Sequence, residues 1–281
     1  MPSFETPEPI SVTVQLGTGD LRFLAEDRTD TVVEVLPTDP ERDGDVRLAG
    51  QTQVTYAGGR LHIKAPKQRS LFGRPPSVDI VVELPAGSQV ESDVTGADFR
   101  AEGRLGEVRV KCSSGDIHLA ETGPLHLHTS YGRITVDHAV GDVEAQTGFG
   151  SIRMRAVEGS AVLKNSHGTT TVGTVTEEAR ISGANGDITI ERAGAGVRAT
   201  TAHGMLRVDE VASGSVELET SSGDIEIGVR AGTAAWLNAS SGHGRVRNLL
   251  TASDSAGETE DKVEVRARTR YGDIEVRRAA A

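Results

Sequence analysis

Apolar and polar residues alternate along most of this chain, and glycine interrupts the alternation at near-regular intervals. The interruptions are Gly115, Gly132, Gly150, Gly168, Gly186, Gly204, Gly223, Gly244 and Gly272, and the first six intervals are 17, 18, 18, 18, 18 and 19 residues. Seven, five and three residues before each glycine the side chain is apolar or small: Val108, Val110 and Cys112; Leu125, Leu127 and Thr129; Val143, Ala145 and Thr147; Ala161, Leu163 and Asn165; Val197, Ala199 and Thr201; Val216, Leu218 and Thr220. Two and four residues after it the pattern resumes, as in Ile117 and Leu119, Ile152 and Met154, or Ile188 and Ile190, and a further apolar residue often falls seven after, as at Ala139, Val157, Val175, Ala193 and Val211. Period two on both sides of a turn predicts a strand, a glycine corner, a second strand and a shorter third side in every repeat.

Two short strands enclose no volume, so one such unit cannot bury its apolar face. Stacking identical units does so, with equivalent strands about 4.8 Å apart in parallel sheets and like residues in ladders. A fixed period of this length therefore predicts an all-β parallel β-helix, a β-solenoid of about 18 residues per coil. Handedness is not readable from the pattern, and a right-handed helix is the preferred choice. Glycine at the corner supplies positive φ or allows close stacking of neighbours.

Taken in order, residues 10–23 already fit the register, with Val12, Val14 and Leu16 before Gly19 and Leu21 and Phe23 after it. The pattern then breaks. Thr31 to Leu36 reads as a plain strand, Pro37 to Asp45 as a charged loop, and Gln51 to Ala65 as a hairpin turning at Gly58 and Gly59. Lys67 to Pro76 reads as a basic loop and Ser77 to Leu84 as another strand. Residues 1–89 are thus expected to form a strand pair and a β cap, and residues 90–281 a parallel β-helix of about ten coils. The interval stretches to 21 before Gly244 and to 28 before Gly272, and the acidic, Ser- and Ala-rich stretch near 249–262 is expected to loop out on the surface. The last coil carries Arg266, Arg268, Arg270, Arg277 and Arg278, a charged terminal edge that would oppose edge-to-edge aggregation.

Composition agrees. Aromatics make up 3% of the 281 residues and glycine 33 positions, which suits a thin core of Val, Ile, Leu and Ala layers. The single cysteine, Cys112, excludes an intramolecular disulfide and fits a reducing compartment. The opening MPSFETPEPI has neither a basic nor an apolar leader-like stretch, and no run of 18 apolar residues occurs, so no membrane span and a cytoplasmic location are expected, with the cell surface by an unconventional route as the alternative.

The repeated Ser/Thr-x-Gly-Asp-Ile-x-Val/Leu strands, the opening PEPISVTVQLGTGDLRF and the strand-ending ELPAGS resemble the bacterial β-strand-repeat family named as putative adhesins, a domain of unknown function. The likeness covers nearly the whole chain. It implies a β-helical fold and brings no catalytic residues with it.

Candidate chemistry must lie on outward positions. The residue before each marker glycine forms a column in which Tyr131, Phe149, His167, Asn185 and His203 would stack into a strip of rings and amide able to meet sugars or a partner's apolar side chains. Rings covering the corner of the adjacent coil would give the same pattern. His126 and His128 share one face of a strand, and Glu144 one coil on would complete a two-histidine, one-carboxylate metal set, although no further metal spacing accompanies it. The aspartates after the glycine, Asp20, Asp116, Asp187, Asp224 and Asp273, do not have the nonapeptide spacing of calcium-binding rolls and fit a turn role. Outward Arg109, Lys111, Lys164, Arg180, Arg198, Arg266 and Arg268 give one sheet a basic face, but the net charge of −11 and the absence of interleaved aromatics argue against nucleic acid. No cofactor fingerprint, nucleophile elbow or paired carboxylates appear, so a polysaccharide-acting β-helix enzyme is the weakest reading. The expectation is a non-catalytic interaction or scaffold protein with no cofactor. An unidentified protein or glycan would be its partner, and end-to-end self-association is a further mode.

Overall fold

The structure, a computed structural model, describes residues 2–66, 74–250 and 262–279. The expected basic loop lies outside the described residues over 67–73, and the expected surface loop over 251–261. Almost every described element is a β-strand, and the fold is a parallel β-solenoid. The chain divides into two compact units, Met1–Val140 and Gly141–Ala281.

In the first unit the elements are β1 (Ser3–Glu5), β2 (Ser11–Glu26), β3 (Asp30–Pro37), α1 (Asp43–Gln51), β4 (Gln53–Ala57), β5 (Arg60–Lys64), β6 (Val78–Pro85), β7 (Gln89–Arg104), β8 (Val108–Ser114), β9 (Ile117–Thr122), β10 (Leu125–Tyr131) and β11 (Ile134–Val140). The long strand β2 pairs in parallel with β7 along nearly its whole length, Gly19 opposite Ala97, so the coil of residues 11–26 lies directly against the coil that begins at Gln89. Strands β8 and β9 continue from β7, and β10 and β11 from those, all in parallel. On its other edge β2 carries β5 and β6. These two strands are then covered by antiparallel partners, β4 on β5 and β3 on β6, with β1 on β3. Their inward residues Leu61, Ile63, Val78, Ile80, Val82 and Leu84 are all buried. These strands form a cap over the coil of residues 11–26.

One element of the cap differs from the sequence reading. The charged stretch read as a loop runs into the helix α1, whose first turn holds Asp43 and Asp45 at the dipole end that favours acids. Only Leu48 and Asp45 are buried on it, too little apolar surface to print a helical period. Asp45 is held by Arg42 at 3.3 Å and accepts the Ser77 backbone N–H at 3.1 Å, so the buried carboxylate is partnered.

In the second unit the strands are β12 (Val143–Phe149), β13 (Ile152–Glu158), β14 (Ala161–His167), β15 (Thr170–Val175), β16 (Ala179–Asn185), β17 (Ile188–Ala193), β18 (Val197–His203), β19 (Leu206–Val211), β20 (Gly214–Ser222), β21 (Ile225–Val229), β22 (Ala234–His243), β23 (Val246–Asn248), β24 (Lys262–Tyr271) and β25 (Ile274–Arg278). Even-numbered strands stack in parallel from β12 to β20, and odd-numbered strands from β13 to β21. Every inward residue assigned from the alternation, from Val143 to Val216 and from Ile152 to Val211, is buried, including the polar Thr147, Asn165 and Thr201.

The order of the last two coils is exchanged. β20 pairs with β24, not β22, and β22 pairs with the far side of β24. In the other sheet β21 pairs with β25, and β25 with β23. The arginine-bearing coil around Gly272 therefore lies inside the stack, and the coil around Gly244 forms the last layer, which corrects the expectation of a charged terminal edge. The chain must step over one layer and return, which accounts for the long intervals before Gly244 and Gly272. Arg278 secures the step, donating to the carbonyls of Thr233 (2.8 Å) and Arg230 (3.1 Å) where the chain enters β22.

Candidate functional site

The outward column at the glycine corner is positioned by three interactions, each recurring in several coils. The first is steric. Gly132 has φ of 151°, and a Cβ there would sit 2.0 Å from the Gly115 carbonyl oxygen of the coil beneath, so the corner closes only on glycine. The second is a buried donor three residues earlier. Thr129, Thr201, Thr220 and Thr269 donate their hydroxyls to the carbonyls of Gly115, Gly186, Gly204 and Gly223, at 3.4, 3.4, 3.2 and 2.9 Å. Asn165 spreads its amide over the carbonyls of Gly150, Gly168 and Thr169. These four inward hydroxyls and the Asn165 amide nitrogen are thereby satisfied, while Asn165 Oδ1 is buried without a partner. The third is the aspartate after the glycine. Asp116 accepts the backbone N–H of Arg133 at 2.8 Å, Asp187 that of Met205 at 2.8 Å, Asp224 that of Asp273 at 2.7 Å and Asp273 that of Arg245 at 2.8 Å. Each carboxylate caps the next coil, a structural role that gives the expected turn function its mechanism. For Asp116, burial raises the pKa, but the Arg133 N–H and guanidinium outweigh it and hold the carboxyl below its ordinary value.

On this support, Phe149, His167, Asn185 and His203 of the second unit stand on directly paired positions of β12, β14, β16 and β18, all exposed. The rings of Phe149 and His167 stack at 4.5 Å with 9° between planes, and Phe149 keeps 49% of its surface exposed. The exchanged coils extend the column in a way the sequence order conceals: His203 pairs with Ser222, Ser222 with Tyr271, and Tyr271 with His243. Tyr271 and His243 form a second stack, at 4.8 Å and 7°. Tyr131, the remaining member of the expected strip, is exposed on β10 in the first unit, opposite Ser114. Because the rings lie parallel at the strand spacing, their faces meet each other and their edges meet solvent. Such a column offers ring edges, an amide and imidazole nitrogens to a visitor, and its internal stacks each contribute about 1 kcal/mol to the corner.

The other sequence candidates resolve differently. His126 and His128 sit on β10 as expected, on the outward side, and among the described residues no three histidine, cysteine or acidic side chains gather to hold a metal ion, the set of His126, His128 and Glu144 included. Four of the seven residues of the basic face are matched by acids: Arg109 pairs with Glu107, Arg180 with Glu178 at 2.9 Å, Arg198 with Glu217 at 2.5 Å and Arg266 with Glu264 at 2.6 Å. That pairing weakens the local positive field an anionic polymer would need. Cys112 is buried, its thiol donating to the Ser114 carbonyl at 3.0 Å, and burial pushes its pKa up.

One cluster escaped the sequence reading. Asp79 on β6 and Asp98 on β7 flank Asp20 of β2 in register, lining an open cleft of about 360 Å³ with Thr38, Ser77 and Arg74. Burial, then Asp79 and Asp98, raise the Asp20 pKa. No periodic signal could have shown this row, because β6 belongs to the cap and its aspartate stands outside the repeat. No helix among the described residues is long and apolar enough to cross a membrane.

The profile of the family described as Toastrack DUF4097 matches residues 11–277. No curated protein is significantly similar. Among solved structures, the chain is similar to a putative cell adhesion protein from Clostridium sporogenes (12% identity, 99% of this chain and 98% of that one, TM-score 0.25). It is also similar to a putative adhesin from Parabacteroides merdae (12%, 98% and 94%, TM-score 0.42) and a putative lipid binding protein from Parabacteroides distasonis (14%, 98% and 95%, TM-score 0.35).

Proposed function

The chain belongs to the Toastrack DUF4097 family, and we propose that it is a non-catalytic interaction protein whose binding surface is the ring column at the glycine corner of its second unit. The half-exposed stack of Phe149 on His167, held in register by paired strands, carries this reading. A protein's apolar side chains can pack against ring edges, while a sugar ring needs an open aromatic face, so a protein partner is preferred to a glycan. A column built on rigid strands is also preorganised, so its side chains lose little freedom when covered.

The experiment is a photo-crosslinking residue placed at Phe149 in cells, with the same residue at outward Thr189 as control. Crosslinks to a partner at position 149 alone, lost on adding His167→Ala, support the reading. No crosslink at 149, or equal crosslinking at both positions, overturns it and leaves the column as corner packing. Protease accessibility of the protein in intact and lysed cells then separates a cytosolic partner from an extracellular one.

A further inference from the structure

The last layer of the second unit is unfinished. Among the described residues β22 pairs with β24 alone, so the peptide groups along its outer edge face no strand. Its inward residues Leu237, Ala239 and Ser241 are only half-buried, whereas their counterparts Val265, Ala267 and Thr269 on β24, one layer in, are buried. Val246 of β23, also at an inward position, is 44% exposed, and Trp236 on the outer face of β22 is 60% exposed.

The charges are distributed opposite to what a solvent-facing edge requires. Edge strands exposed to water are blunted by charge or proline. Here β24, with Lys262, Glu264, Arg266, Arg268 and Arg270, is sandwiched between neighbours, while the edge strand Ala-Ala-Trp-Leu-Asn-Ala-Ser-Ser-Gly-His carries no acidic, lysine or arginine side chain. A long, neutral, unpaired edge over half-covered apolar positions is what a strand-pairing interface exposes.

We infer that this layer is a homodimer interface, in which β22 of one molecule pairs antiparallel with β22 of a second across a two-fold axis. A second copy fits because its edge is equally neutral and its half-covered Leu237 and Ala239 meet their own equivalents when side chains keep to the same face. A contact across a two-fold axis uses the same edge on both molecules, so it closes at two and does not propagate. The inference rests on the edge and is independent of the ring column.

The test is sedimentation equilibrium of the purified full chain, with substitutions at outward, exposed Asn238, which near the two-fold axis lies across from itself or its neighbour two residues along. The wild type is expected at twice 29.6 kDa. Asn238→Lys and Asn238→Asp, each alone, should weaken dimerisation by about tenfold or more through like charges across the axis. An equimolar mixture of the two should restore it. Circular dichroism of each variant matching the wild type excludes unfolding as the cause. A wild type that stays monomeric at high concentration, a dimer indifferent to either charge, or charged variants that fail to rescue one another each overturn the inference; the first would assign the edge to a different occupant.

Discussion

The terminal layer of the first unit and the terminal layer of the second are both built from two parallel strands beside a coil, yet one is closed and the other open. β5 and β6 have an antiparallel strand laid on each, and Leu61, Ile63, Ile80 and Val82 beneath are buried. β22 and β23 have the same kind of inward residues, and Leu237 and Val246 remain partly in water. Alternation therefore fixes which way a side chain points, while its burial depends on what lies over it. The capped layer uses non-repeating sequence for its cover: the hairpin, β3 and α1 all come from the stretch where the period breaks.

The sharpest way to break this comparison is to place the same charge beneath each end. In the monomer, Ile63→Asp should cost about 4 kcal/mol, because an unpaired carboxylate would be buried, and Leu237→Asp about 1 kcal/mol, because it reaches water. Urea denaturation of the two variants at concentrations too low for dimerisation measures the difference, and equal losses would mean that the second end is covered within one molecule as thoroughly as the first. A smaller effect is expected from glycine. Gly272→Ala puts a Cβ 2.1 Å from the Gly223 carbonyl oxygen and should cost roughly 3 kcal/mol, whereas Gly59→Ala, in the cap hairpin with φ of 74° and nothing within 4 Å, should cost about 1 kcal/mol for its backbone conformation alone. Thermal melts of both would sharpen the distinction between a corner set by stacking and a turn set by torsion.

The smallest effect belongs to the acidic row at the capped end. Burial and the neighbouring Asp79 and Asp98 raise the Asp20 pKa above its ordinary 3.8, so the folded state takes up its proton more readily than the unfolded one. Stability from this group rises as pH falls through the raised value and levels off below 3.8. Asp116, lowered by Arg133, works in the opposite sense, and its contribution is lost as pH falls beneath 3.8. Asp20→Asn should stabilise the protein at pH 7 by less than about 1 kcal/mol, with the gain vanishing in acid, as read from melts across pH 3 to 7. A gain that persists at pH 3 would place its origin outside the carboxylate row.

Much of the fold was legible because the repeat states it many times over. Inward positions from Val108 to Val216, the corner glycines, the hairpin at Gly58 and Gly59 and the cap strands all follow from local alternation and turn chemistry. The helix at Asp43–Gln51 was not, because a single buried leucine leaves no period. Nor was the exchange of the last two coils, because interchangeable layers carry no address in their alternation. Its traces were the intervals of 21 and 28 residues before Gly244 and Gly272. Of the site, the column of Phe149, His167, Asn185 and His203 could be read from register alone. The Tyr271–His243 stack could not, since it depends on which coil neighbours which.

The exchange also sets a timetable for synthesis. Through β21 each coil of the second unit can dock on its predecessor as it leaves the ribosome, since its neighbour already exists. β22 and β23 emerge next and have no surface to dock on until β24 and β25, the final stretch of these residues, have been made and inserted between. During that interval β22, which carries no acidic, lysine or arginine side chain, waits unpaired and open to pairing with the wrong strand.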